Sequence, residues 1–370
     1  MFYPVMPPLT ISRRHFLKQV PDAAILAAAP FAANGQSTSV SSGSITDVTG
    51  VRVGHFSDSR RPTGCTAILF DAPPTAGADY AGSAAGESLG LMLQPVSPVD
   101  RIHGILLMGG GAMALGATAG MVRFLEERHV GYDWGVSNVR VPVVLGAVID
   151  DLAVGDGRIR IGPDEAYRAC QSAGPSPVGE GSVGAGAGAT VGKLFVGRGM
   201  AGMKGGIGSS SARLADVIIG ALVVVNCAGD VINWRDGSIV AGARTSDGRG
   251  FARTVDVLRR DLAMRPAPPA ALADAPRATT LSVIATNAAL TKTALTKLAM
   301  VANTGAARAI NPYQTQNDGD QVLAVATGVL NSPISLTALG AIAAEVLADA
   351  IVRAVTLATS VPGWVAVRDL

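Results

Sequence analysis

From Thr280 onward the chain shows its clearest alternation of apolar and amphipathic stretches. It reads as a strand over Thr280–Ala285, a helix over Thr293–Ile310, a turn at Asn317–Asp320, a strand over Gln321–Ala326, and a long helix from Ser335, a natural N-cap, to Thr356. A β-α-β-α tail with so few strands is expected to complete a shared sheet rather than to close one of its own. Upstream, strand-length apolar runs fall at Gly64–Phe70, His103–Met108, Val141–Val148, Ala215–Val225 and Ser238–Ala243, and Ile45–Phe56 alternates and turns like a hairpin. Helices are expected over Ala112–Arg128, directly after Gly109-Gly110-Gly111, and over Pro163–Ser172, whose first turn is acidic. Glycine density between Gly179 and Gly208 predicts a pair of strands in close backbone approach. Order loosens from Thr245 to Ala278, where Arg265-Pro266-Ala267-Pro268-Pro269 and Pro276 suit a flexible connection. The expected fold is one α/β layered body with a break in the chain running through it.

Composition supports a large core: 48% of the 370 residues are hydrophobic and 16% charged. A net charge of +2, with Lys and Arg scattered, gives no footprint for nucleic acid or an anionic membrane, and favours a small, near-neutral substrate. Cys65, Cys170 and Cys227 lack C-x-x-C spacing and cannot all pair, so they read as small core residues, and neither a metal nor a cofactor is expected. The four histidines, His15, His55, His103 and His129, leave the C-terminal two thirds without one, which weighs against a Ser-His-Asp site. Residues 1–33 carry Ser12-Arg13-Arg14-His15-Phe16-Leu17-Lys18 and an alanine-rich run from Ala23 to Ala33, the form of a twin-arginine export signal and hence a periplasmic address. No run reaches the ~18 charge-free residues of a membrane helix, and the C-terminal helix carries Glu345, Asp349 and Arg353.

The candidate chemistry begins at Ala278-Thr279. A hydroxyl residue stands at the start of a buried-looking strand just after a loose linker. Cut there, Thr279 would carry a nucleophilic hydroxyl and an α-amine base on one residue. Without a cut, a threonine at a strand edge reflects only β-propensity. Gly109-Gly110-Gly111 before a helix presents backbone N–H groups that suit an anion or a polarised carbonyl, or else serves close packing alone. The phosphate-loop pattern is not met around Gly192-Lys193, where Ala187 and Leu194 stand in place of Gly and Ser/Thr. Gly197-x-Gly199-x-x-Gly202 has dinucleotide spacing, but a poor helix follows it. Lys193 is then a lone basic residue among apolar neighbours, and Asn226 ends a strand as either an amide donor or a turn residue.

These residues together resemble the self-processing aminopeptidases of the DmpA type (L-aminopeptidase/D-esterase, β-aminopeptidase), including the 6-aminohexanoate-oligomer hydrolase branch. The likeness runs from Ile45-Thr46-Asp47-Val48 to about Val355. Thr279-Thr280-Leu281-Ser282-Val283-Ile284-Ala285-Thr286-Asn287 looks like that family's nucleophile strand, and Asp318-Gly319-Asp320 stands 39 and 41 residues beyond Thr279, like the acidic pair of the nylon-oligomer branch. Lys193 and Asn226 fall where the family has a site lysine and asparagine.

The resemblance implies an αββα sandwich of N-terminal-nucleophile hydrolase type, one domain built from a large segment, 34–278, and a small one, 279–370. It also implies autocleavage at Ala278/Thr279 and assembly as a homo-oligomer, usually a tetramer. Thr279 would be the nucleophile, Asp318 and Asp320 would orient its hydroxyl and amine, Lys193 would balance charge, and Asn226 would donate to the oxyanion. Asp150, Gly110 and Gly111 are expected at the substrate. The substrate would be a short peptide, an amino-acid amide or an oligoamide. Two positions depart from the pattern: Ala278 replaces the Asn or Gly common before the nucleophile, and Asp150 stands where a tyrosine is common, so a phenol donor is lost there. Two alternatives to hydrolysis are an acyltransferase of the ornithine acetyltransferase type and an exported, non-enzymatic binding protein.

Overall fold

The structure is a computed structural model that describes residues 43–136, 138–196, 198–264 and 278–370. The expected export signal, the expected linker over 265–277, and Gly197 of the dinucleotide-like spacing lie outside the described residues. In chain order the principal elements are β1 (Val51–Ser57), β2 (Gly64–Phe70), β3 (Thr75–Tyr80), β4 (Gly104–Met108), α1 (Thr118–Glu126), β5 (Val144–Val148), α2 (Pro163–Gln171), β6 (Gly206–Leu214), β7 (Val217–Asn226), α3 (Thr254–Met264), β8 (Thr279–Ala288), α4 (Lys292–Ala309), β9 (Gln321–Leu330) and α5 (Leu336–Thr356).

These elements form four layers. One sheet has the order β1-β2-β4-β5 with the short strand Glu87–Ser88 at its edge, and the other has the order β6-β7-β8-β9-β3. Period-two side-chain alternation gives each sheet two faces, and both faces are apolar, so three hydrophobic interfaces result. Between the sheets, Val53, Ile68, Leu107 and Leu145 meet Leu222, Val224, Leu281, Val283 and Val325. On the outer face of the first sheet, Leu106 and Met108 pack against Met121 and Phe124 of α1 and Ala166 and Cys170 of α2. Outside the second sheet, Ala221, Val223, Ile284 and Ala324 pack against Leu295 and Leu298 of α4 and Leu347 and Ile351 of α5. This is the expected αββα sandwich. The three cysteines are buried and free.

The tail is not a separate body. β8 runs antiparallel to β7 and parallel to β9, and β9 pairs in turn with β3 from early in the chain. Ser335 caps α5 as expected, its Oγ accepting from Ala338 N at 3.3 Å, and α4 is capped by Thr291, whose Oγ1 accepts from Ala294 N at 3.2 Å. Two of the charges on α5 are neutralised in place, where Asp349 accepts from Arg235 at 2.6 and 3.0 Å and Arg353 pairs with Glu180, and Glu345 is exposed. Among the described residues no helix is long and apolar enough to cross a membrane.

Several local expectations are corrected. Ile45–Phe56 is not a hairpin: Ser44 and Asp47 form a capping box that coils Ile45–Asp47 into a 3-10 turn, and β1 pairs with β2 instead. The expected helix over Ala112–Arg128 begins as a 3-10 turn over Gly111–Ala117 and becomes α-helical only at Thr118. In the glycine-dense region the expected pair of strands is the short ladder of Thr190–Val191 with Met203–Lys204, and Gly206–Gly208 already belong to β6. The stretch expected to loosen contains α3, whose Thr254 is anchored by N–H and hydroxyl donations of 2.7 Å each to the Asp230 carboxylate. The edge strand β3 escaped notice because its Thr-Ala-Gly-Ala core has weak strand propensity. Gly77 is required there, since a Cβ would lie 2.5 Å from the Thr296 nitrogen of α4.

Candidate active site

Strand parity decides which side chains meet. In β8, Leu281 and Val283 face the other sheet, so Thr279, two residues earlier, faces the same way. In β7, Leu222 and Val224 face inward, so Asn226 does too, and the register places Asn226 directly opposite Thr279. The parallel pairing of β8 with β9 begins one turn earlier, where Ala278 bridges Asp318, and this brings the acidic turn to the same sheet end. The chain at 82–84 clamps that turn from outside: Gly82 N donates to Asp320 O at 2.8 Å and Ala84 N to Asp318 O at 3.0 Å.

Thr279, Lys193, Asn226, Asp318 and Asp320 are thus gathered at one sheet end, and all five are buried. The Thr279 hydroxyl donates 2.6 Å to the Ala278 carbonyl oxygen, which also accepts the Gly319 N–H at 2.9 Å. Gly319 is required by close approach, because a Cβ there would lie 2.9 Å from Thr279 Oγ1 and 2.6 Å from the Ala84 carbonyl. Asn226 Oδ1 accepts from Lys193 Nζ at 2.7 Å and Thr190 N at 3.0 Å, while its Nδ2 donates 3.2 Å to the Asp150 carbonyl. Among the described residues this leaves one amide proton of Asn226 uncommitted.

The two acids differ. Asp320 accepts from Thr280 N at 2.6 Å through one oxygen and from Gln314 N at 3.0 Å through the other, so it pins the residue after the nucleophile. Asp318 places Oδ2 on the Thr315 N–H at 2.9 Å and the Thr315 hydroxyl at 2.5 Å, whereas its buried Oδ1 has no hydrogen-bond partner among the described residues. Burial, and then the neighbouring Asp318 charge, push Asp320 up to about 7. Burial also raises Asp318, against the pull of Thr315, of Lys193 and of the nearby Ala228 N–H. Burial draws Lys193 down to about 8, opposed by nearby anionic groups that include Asp150 and Asp318.

A cavity of about 320 Å³ opens on the Lys193 side of this cluster, with Asp150, Leu152, Val154, Val196 and Trp364 in its walls. Asp150 is half-buried at its edge and Asp151 lies beneath. Asp151 is spent on the fold: it pairs with Arg61, accepts the Thr63 hydroxyl at 2.7 Å, and accepts the Gly110 N–H at 2.9 Å. The Gly111 N–H likewise goes to the Ile149 carbonyl at 3.0 Å. The expectation that Gly110 and Gly111 form a backbone cradle is therefore corrected, as both donors are already engaged by the loop they support. Among the described residues no group of three or more His, Cys, Asp or Glu is placed to hold a metal ion.

Sequence reasoning missed Thr315, Gly319 and Arg61. Only Gly319 left a signal, a glycine between two acids in a turn whose alternative role is simply to bend the chain. Thr315 acts on Asp318 only three residues away, but a threonine there carries no distinguishing signal, and Arg61 acts through Asp151, Val154 and Ile159, about ninety residues on.

The layered αββα body, with a buried threonine, lysine, asparagine and carboxylates gathered at one sheet end, defines the class by its fold, that of the Ntn hydrolases. Its fold matches the L-aminopeptidase D-Ala-esterase/amidase of Ochrobactrum anthropi, described as a variant of the Ntn hydrolase fold, with a TM-score of 0.59 at 21% identity over 85% of this chain and 86% of that one. Residues 43–367 match the model of peptidase family S58, and the chain belongs to that family. An uncharacterized aminopeptidase of Mycobacterium bovis is 37% identical over 352 residues, 88% of this chain and 97% of its own length. The 6-aminohexanoate-oligomer endohydrolase of a Kocuria strain is 33% identical over 321 residues, 83% of this chain and 84% of its own. The chain is a hydrolase of peptide or amide bonds, and the non-enzymatic reading is set aside.

Proposed function

We propose that this chain is a self-processing N-terminal-threonine amidohydrolase, made as a precursor and activated by cleavage at Ala278/Thr279. One observation carries the reading: the Thr279 hydroxyl sits 2.6 Å from the carbonyl oxygen of the peptide bond it would cleave, buried beside Lys193, Asn226 and Asp318. In the precursor Thr279 Oγ1 adds to the Ala278 carbonyl carbon, the Ala278–Thr279 C–N bond breaks, and the hydroxyl proton passes to the departing nitrogen, leaving an ester. Water then cleaves the ester, giving the Ala278 carboxyl and restoring the Thr279 hydroxyl. The freed α-amine, with a reference pKa of roughly 7.7 to 8.0, is a far better base near neutrality than an ordinary lysine.

In the processed enzyme the same hydroxyl attacks the substrate amide. Asp318 Oδ1, a buried carboxylate oxygen without a hydrogen-bond partner among the described residues, accepts from the nucleophile's hydroxyl or amine. Asn226 uses its remaining amide proton on the substrate oxyanion, a contribution of about 2.7 to 4 kcal/mol in acyl transfer. Lys193 holds the Asn226 oxygen, so the amide nitrogen faces the reaction, and it offsets the carboxylate charge.

Short peptides, amino-acid amides and 6-aminohexanoate oligomers are the proposed substrates, supported by the aminopeptidase and endohydrolase relatives and by the apolar walls of the cavity. Amine release from L-alanyl, D-alanyl and β-alanyl anilides and from a linear 6-aminohexanoate oligomer separates these classes, and release from none of them refutes the activity. Two polypeptides on a denaturing gel for the native chain, and one for Thr279→Ala, test the processing. Export to the periplasm on the twin-arginine segment and assembly as a homotetramer are part of the same proposal. Cell fractionation and light scattering respectively decide them.

A further inference from the structure

We infer that the main-chain N–H of Gly319 is the oxyanion donor of the self-cleavage step, a role separate from that of Asn226. The inference rests on the processing reading above. When Thr279 Oγ1 adds to the Ala278 carbonyl carbon, the π pair of that carbonyl moves onto its oxygen. A donor aimed at that oxygen before the reaction stabilises the developing charge without reorganisation. In the uncut chain this oxygen accepts the Gly319 N–H at 2.9 Å and the Thr279 hydroxyl at 2.6 Å. The hydroxyl is the nucleophile and gives up its proton, so the Gly319 N–H is the donor that remains.

Asn226 makes no hydrogen bond to the Ala278 carbonyl: its Nδ2 contact is with the Asp150 carbonyl, and its Oδ1 holds Lys193 and Thr190. Its free amide proton suits a substrate entering from the Asp150 cavity instead. The Gly319 N–H is held rigidly in place. Asp318 is tied by Thr315 on one side, Asp320 by Thr280 and Gln314 on the other, and both flanking carbonyls by Gly82 and Ala84. A side chain at 319 would meet the nucleophile itself, which ties this glycine to the reacting group.

The test removes the N–H without adding a side chain. Glycolic acid is placed at position 319 by a chemically acylated suppressor tRNA, converting the 318–319 peptide bond to an ester. The same replacement at Gly82 is the control, since it removes a neighbouring main-chain donation of 2.8 Å to Asp320 O that does not touch the scissile carbonyl. Fragment appearance is followed on gels and by mass spectrometry, with circular dichroism reporting the fold. The 319 ester is expected to slow cleavage about 10²- to 10³-fold and the Gly82 ester only a few fold. Cleavage of the 319 ester at the native rate, or equal slowing by both esters, overturns the inference. A native chain that is never cut refutes the processing reading itself, a distinguishable result. Should the 319 ester not fold, the Thr279→Ala precursor is used, where a through-hydrogen-bond scalar coupling between the Gly319 nitrogen and the Ala278 carbonyl carbon is expected and its absence overturns the inference.

Discussion

Asp318→Asn separates the chemistry of this site from its stability. The carboxylate has one engaged oxygen and one unengaged, and Thr315 determines which is which. In the variant the Thr315 N–H still requires an acceptor, so the amide oxygen takes the Oδ2 position and the NH2 group occupies that of Oδ1. The shape, the turn and its contacts to Gly82 and Ala84 are retained, but the group at the Oδ1 position changes from acceptor to donor. Asp318 Oδ1 orients the hydroxyl or amine on which the Thr279 base acts, and general-base assistance contributes about 10²- to 10⁴-fold, so the loss is at most roughly 2.7 to 5.4 kcal/mol of transition-state stabilisation. The fold should not suffer, because burial disfavours the charged form of Asp318 and the variant removes that charge. Fragment formation and amine release are measured beside the urea midpoint. Rates within about threefold of native, with the midpoint unchanged, would refute the assignment of Oδ1 as the acceptor.

Other outcomes follow from the same geometry. Thr279→Ala should give a single uncut, inactive polypeptide, read on a denaturing gel. Arg61→Ala should lower the unfolding free energy by about 3–5 kcal/mol, since it strands the fully buried Asp151 anion, and denaturant titration measures this. The kcat of the processed enzyme should rise as the Thr279 amine loses its proton and fall as pH increases through about 8, where Lys193 loses its own; Lys193→Met should abolish the alkaline limb of the profile. For folding the sign is opposite. Below about 8 both folded and unfolded chains hold the Lys193 proton and the burial cost is fully present, and between about 8 and 10.5 the folded chain releases it first, so this group's contribution to stability rises with pH. Urea midpoints at the two ends of that window should show the rise in the native chain and not in Lys193→Met.

The sequence carried most of the tail and the identity of the polar residues. A hydroxyl at the head of an apolar strand, two acids in a following turn, and a lysine and an asparagine in apolar surroundings are local patterns, and β8, β9, α4 and α5 follow from periodicity and caps. The weak elements were those whose stability comes from partners: β3 depends on its edge pairing with β9 and on close packing against α4, and α3 depends on the buried Asp230. By itself the chain determined which groups are available and which strand ends they occupy, because propensity and alternation act over a few residues. Only the tertiary structure decided how those groups are used. Parity and register across β7, β8 and β9 place Asn226 and Asp318 against Thr279, Thr315 leaves one Asp318 oxygen free, and Asp151 and Ile149 consume the N–H groups of Gly110 and Gly111. Hydrogen-bond capacity at a buried site is allotted by every neighbour at once, and most of those neighbours are distant in sequence.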